Sequence, residues 1–76
     1  MIEQIGKTAG KVWQLLNKAG ELSVSQIPKM LNEKTIIVYE ALGWLARENK
    51  IMYRKDGNKT VVSLTEKETS ERVDSN

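Results

Sequence analysis

The apolar residues of this chain change period once. Through residue 48 they recur at three- and four-residue steps, the spacing of a helix face; from Ile51 they alternate, the spacing of a strand. One such switch predicts helices followed by a hairpin. Seventy-six residues leave room for a single core at most. A chain this short buries only about 60% of the surface its unfolded form exposes. Its margin is thin, and a partner or a second copy would add to it.

The first helix is the clearest. Ile2, Ile5, Ala9, Val12, Leu16 and Ala19 form one stripe, flanked by Trp13 and Leu15, with Glu3, Lys7, Lys11, Gln14 and Lys18 opposite and Gly20 closing it. Gly6 and Gly10 border the apolar face, which predicts close packing against a bulky neighbour such as a tryptophan, Trp44 being one candidate. The alternative is a helix–helix dimer seam. Ser23 and Gln26 then have capping-box spacing, with Leu22 and Ile27 as hydrophobic staple. A short helix from Val24 to Leu31 follows, burying Ile27, Met30 and Leu31, and bent or shortened by Pro28. Asn32 ends it. A long helix from Thr35 to Glu48 carries the inner stripe Val38, Leu42 and Leu45, widened by Ala41 and Ala46, and Asn49 stops it as glycine often does.

"IMYRKDGNKTVVSL" reads as two alternating strands around a turn signal at Asp56-Gly57, and Glu21-Leu22 is short enough to add an edge strand. Residues 66–76 hold one large apolar side chain, Val73, and are expected to form a charged, disordered tail beyond a domain of residues 1–65. The net charge of +2 is uneven: the tail is −2, and the preceding 65 residues are +4. That mild basicity permits nucleic-acid contact without demanding it.

Helix, capped short helix, turn, long helix and hairpin is the order of a winged helix-turn-helix domain. "SVSQIPKMLNEKTIIVYEALGWLARENKI" resembles, without a gap, the helix, turn, recognition helix and first wing strand of bacterial winged-helix regulators. Leu31-Asn32 stands where those have Leu-Gly, and Asn49-Lys50-Ile51 where they have Gly-Leu-Ile. "AGKVW" and "GWLARENKI" resemble, more narrowly, a small bacterial winged-helix family of unassigned function. The resemblance covers roughly residues 2–65. It implies three helices with a small antiparallel sheet, mainly α in class, and a DNA-binding regulatory module as the function.

The residues qualify that implication. Bases are read chiefly by Arg or Lys on guanine and by Asn or Gln on adenine. After Lys34 and Thr35, the third helix instead offers Ile36, Tyr39 and Glu40, with Arg47 near its end. Ile36 suits a thymine methyl, and Glu40 repels phosphate or selects cytosine. The wing adds cations: Arg54, Lys55 and Lys59, with Lys50 at its base. The first reading is therefore a double-stranded DNA binder held mainly by the wing, with the third helix in the groove. The alternative is a module that binds a protein partner or associates with itself, a homodimer being one form, and that uses Ile36, Ile37, Tyr39 and Trp44 and binds no DNA. Trp13 and Trp44 are read first as packing residues.

Other classes lack residues. Without cysteine or histidine there is no disulfide, no thiolate site and none of the commonest general base, so neither an enzyme nor a metal or cofactor site is expected. No long apolar run suggests a membrane span or signal peptide, and a cytoplasmic location is the default expectation.

Overall fold

The switch of period at Ile51 is where helix gives way to sheet. The computed structural model describes residues 2–65. Helix α1 spans Ile2–Ala19 and strand β1 Glu21–Ser23; a 3-10 turn, Val24–Gln26, leads into helix α2, Ile27–Leu31. Helix α3, Thr35–Arg47, is followed by strands β2, Ile51–Asp56, and β3, Lys59–Leu64. The strands form one antiparallel sheet in the order β1-β3-β2. This is the winged helix-turn-helix architecture expected from the sequence, including the short edge strand. None of the helices among the described residues is long and apolar enough to cross a membrane.

The α1 stripe buries Ala9, Val12 and Leu16, and Thr8 joins them as the one buried polar side chain among the described residues. Ile5, Trp13 and Leu15 pack partly buried against the same cluster, while Ala19 is left exposed at the helix end. Gly20 closes the helix at φ +87, its N–H donating to the Leu16 carbonyl at 2.8 Å. A lysine on the polar face, Lys11, reaches Glu33 at 2.7 Å and ties the α2–α3 turn to α1.

Pro28 shortens α2 as expected. The first turn after Ser23 winds as 3-10, with the Ser23 N–H donating to Gln26 Oε1 at 3.2 Å. Pro28 thereby becomes the second residue of α2, where no backbone donor is required of it. One expectation fails here. Met30 is 52% exposed, because Ile27, Pro28 and the half-buried Leu31 form the inward face and turn Met30 aside.

Both later helices end on an asparagine in the left-handed region. Asn32 has φ 55, with its N–H on the Lys29 carbonyl and the Glu33 N–H on that of Pro28; Asn49 has φ 60, with its N–H on Ala46 and the Lys50 N–H on Leu45. Each pair of bonds is a Schellman closure with asparagine in the glycine position. Between them α3 buries Ile37, Val38, Ala41, Leu42 and Leu45. All but Ile37 pack with the α1 stripe, Ile27, Ile51, Val62 and Leu64 into one cluster.

The hairpin turn lies one residue later than the Asp56-Gly57 signal. Asp56 still pairs with Lys59, so Gly57 and Asn58 form the two-residue loop, and Gly57 alone of the two has positive φ, at +66. That is the conformation in which glycine takes the first central position. The expected tail, residues 66–76, lies outside the described residues.

Candidate nucleic-acid interface

Helix α3 has two flanks with different neighbours. Its burial stripe leaves Ile36, Glu40, Gly43 and Arg47 facing outward at alternate four- and three-residue steps. Ile36 is the most exposed large apolar side chain among the described residues, at 67%. Tyr39, at 48%, lies on the flank toward the wing. Glu40 and Trp44 lie on the opposite flank, toward α1.

On the wing side, Tyr39 shares a cleft of about 240 Å³ with Ser23 and Ser25 of the β1–α2 turn and with Asn58, Lys59 and Thr60 of the wing. Lys34 stands at the start of α3 in extended backbone, φ −64 and ψ 138, with no side chain capping the helix. The first α3 amide donors, Thr35 included, are therefore open to an outside acceptor. Lys34, Lys55 and Lys59 make no ion pair among the described residues. Hydroxyl and amide groups and one cation, Lys59, thus meet Tyr39 on the wing side of α3.

Arg54 is differently placed. Its guanidinium donates to Glu21 Oε1 at 2.7 Å, reaching from β2 across β3 to β1. Glu21's hydrogen bond, and then its charge, raise the Arg54 pKa further above its ordinary value, so the side chain stays a cation held by a carboxylate. Register places Arg54 with Met52, Val61 and Glu21 on the sheet face opposite Tyr53 and Val62. On that other face, partial burial pushes the Tyr53 phenol above its usual range, which keeps it neutral.

Arg47 shares the outward line of Ile36 but sits eleven residues on, roughly 16 Å along the helix. The structure therefore brings Tyr39 and Lys59 together in one cleft, places Arg47 at the hollow on the opposite flank and ties Arg54 to Glu21; Lys34, Thr35 and Ile36 stand at the start of α3 and Lys55 on β2 opposite Thr60. Asn58, Thr60 and Ser25 join the cleft although nothing in the sequence singles them out. Only the fold brings Ser25 to them, and Asn58 is a loop residue through the one-residue shift of the turn.

Two expectations about the alternative surface are corrected. Ile37 is 5% exposed, because the buried stripe of α3 runs through Ile37, Ala41 and Leu45 as well as through Val38 and Leu42. Trp44, expected to pack, is 42% exposed. With Ile37 inside, Tyr39 and Trp44 lie on opposite flanks and form no continuous apolar patch. The glycines of α1 also differ from expectation: a Cβ built at Gly6 or Gly10 meets no heavy atom within 4 Å.

The sequence model of the family described as Winged helix-turn-helix domain (DUF2582) matches residues 1–64. The uncharacterised protein MJ1608 of Methanocaldococcus jannaschii is 50% identical over 64 residues, which span 80% of this chain and 90% of the relative. Among solved structures, an apo mutant of Lactococcus lactis ZitR superposes with a TM-score of 0.79 at 22% identity, covering 97% of this chain and 58% of that one. HlyU of Vibrio vulnificus, described as a transcriptional regulator, gives 0.73 at 20% identity over 88% of this chain and 71% of HlyU. Likeness at these identities is a likeness of fold.

Proposed function

The chain belongs to the DUF2582 family of winged helix-turn-helix domains, and from that membership and the geometry above we propose that it is a double-stranded-DNA-binding regulatory module. The observation that carries the proposal is the cleft on one side of α3, lined by Tyr39, Asn58, Lys59 and Thr60; Lys34 at the start of α3 and Lys55 opposite Thr60 make no ion pair among the described residues. The fold is shared with a transcriptional regulator, HlyU, which supports the reading by analogy.

In this reading the start of α3 enters the major groove. Ile36 meets base edges, Tyr39 and the Ser23–Ser25 turn hydrogen-bond to phosphates, and Lys55, Lys59 and Asn58 at the wing tip flank the backbone. Lys34 and the open amide donors of α3 hold a phosphate at the helix start. Glu40 disfavours phosphate on the α1 flank and so biases the docking toward the wing. With few base-reading groups, affinity is mostly electrostatic, with Kd on the order of 10⁻⁴ to 10⁻⁶ M at physiological salt.

Fluorescence anisotropy with a mixed-sequence duplex over a salt series tests this. Log affinity falls linearly with log salt, and Lys55→Ala with Lys59→Ala flattens the slope by about 0.9 for each phosphate no longer neutralised. An unchanged slope in the double variant would remove the wing from the interface. No binding at low salt would end the proposal.

A further inference from the structure

A second surface lies on the opposite flank of α3. Where α1 runs beside it, Gly6 and Gly10 leave the helix bare, and Trp13 and Trp44 stand as walls of an open groove of about 470 Å³. The far side of Trp44 borders another hollow, of about 600 Å³, formed with Ile5 and Gly43. The Trp44 indole is thus an exposed ridge with a hollow on each side. Around it stand Glu40, Arg47, Glu48 and Lys50, two acids and two bases, none ion-paired among the described residues.

We propose that this face binds a second copy of the chain about a two-fold axis, each Trp44 seating over Gly6 and Gly10 of the other copy. A two-fold contact needs projection and hollow on the same patch, so that each copy supplies what the other lacks. Here the ridge and the glycine shelf are neighbours. The rim charges point the same way. A balanced rim complements itself when turned about a two-fold axis, whereas a strongly acidic or basic partner would find as much repulsion as attraction. Exposed tryptophan over a bare backbone is also the pairing of anchor and pocket that dominates interface energetics.

The size of the patch sets the strength. Each Trp44 is only 42% exposed, so docking buries less than half of the about 150–250 Å² of a whole aromatic side chain, and two of them with the shelf around them fall short of the roughly 1,200–2,000 Å² of a stable complex. The dimer is therefore weak, with Kd on the order of 10⁻⁵ to 10⁻⁴ M. The surface is separate from the wing cleft, so self-association needs no DNA and stands or falls independently of the DNA reading.

Sedimentation velocity of the full chain without DNA, from low micromolar to near-millimolar concentration, tests the proposal. The chain is expected to move from monomer to dimer across that range. Gly10→Gln, which fills the shelf from a position where nothing is near, and Trp44→Gln, which removes the ridge, each weaken the dimer about tenfold or more. Circular dichroism of both variants checks that the helices are kept. A single monomeric mass at every concentration would overturn the proposal, whether the groove is then empty, holds another protein or is covered by residues 66–76. Variants that dimerise like the parent would overturn it equally.

Discussion

Gly6 and Gly10 differ in kind from Gly20 and Gly57. The first two sit in ordinary helical backbone with open space around them, and the second two hold φ of +87 and +66. Gly6→Ala and Gly10→Ala should each raise stability by about 0.5–1 kcal/mol, since alanine loses less backbone freedom in a helix. Gly57→Ala should lower it by about 1–2 kcal/mol, because a Cβ is strained in the left-handed region. Urea melts at dilute concentration separate the two signs. Arg54 and Lys59 diverge in the same way: one is held by Glu21 and the other lines the cleft. Arg54→Ala should cost less DNA affinity than Lys59→Ala, and Glu21→Gln should steepen the salt dependence by up to about 0.9 as it frees Arg54 for a phosphate. The sequence could not separate these cations. Glu21 lies 33 residues from Arg54, and only the β1-β3-β2 order brings them together. Ile36 and Ile37 are as hard to tell apart, since moving the centre of the α3 stripe a little from Val38 decides which of them is buried.

Helix ends are the most legible features at the level of elements. A helix stop is a local event: Asn32 and Asn49 take left-handed φ and are closed by backbone bonds to residues three to five positions back, and the Ser23–Gln26 cap spans four residues. Pro28 is legible in its effect but not in its place. The 3-10 turn before it shifts the α-helical start to Ile27, so the proline costs no hydrogen bond. Pro28→Ala should therefore change stability by less than about 1 kcal/mol, against roughly 3 kcal/mol for proline in a helix interior. Thermal unfolding monitored by circular dichroism checks this. A large gain in stability would mean that the proline strains α2 after all. Met30 and the hairpin turn escape the sequence for related reasons. Five residues of α2 are too few for periodicity to show which side faces inward, and Asp56-Gly57 and Gly57-Asn58 are both acceptable loop pairs until strand register chooses.

At the scale of the molecule, α3 divides the surface into a polar, cationic side with Tyr39 and the wing and an apolar, charge-balanced side with Trp44 and α1. Sequence patterning specified the architecture because each element's period and caps agree with it. It could not make this division, which depends on how α1 and the sheet pack on either flank of α3. The composition of α3 is consistent with it: Tyr39 and Trp44 line separate hollows, and under the proposed function the helix need not read many bases if the wing supplies the charge. In the proposed function DNA meets the first of these sides. An amide NMR titration of the labelled chain with a mixed-sequence duplex at low salt tests it most directly. Shifts are expected at residues 34–40, 23–25 and 55–60, reversed by added salt, while residues 6–13 stay in place. Amides that do not move at all, or shifts confined to the groove between α1 and α3, would contradict it.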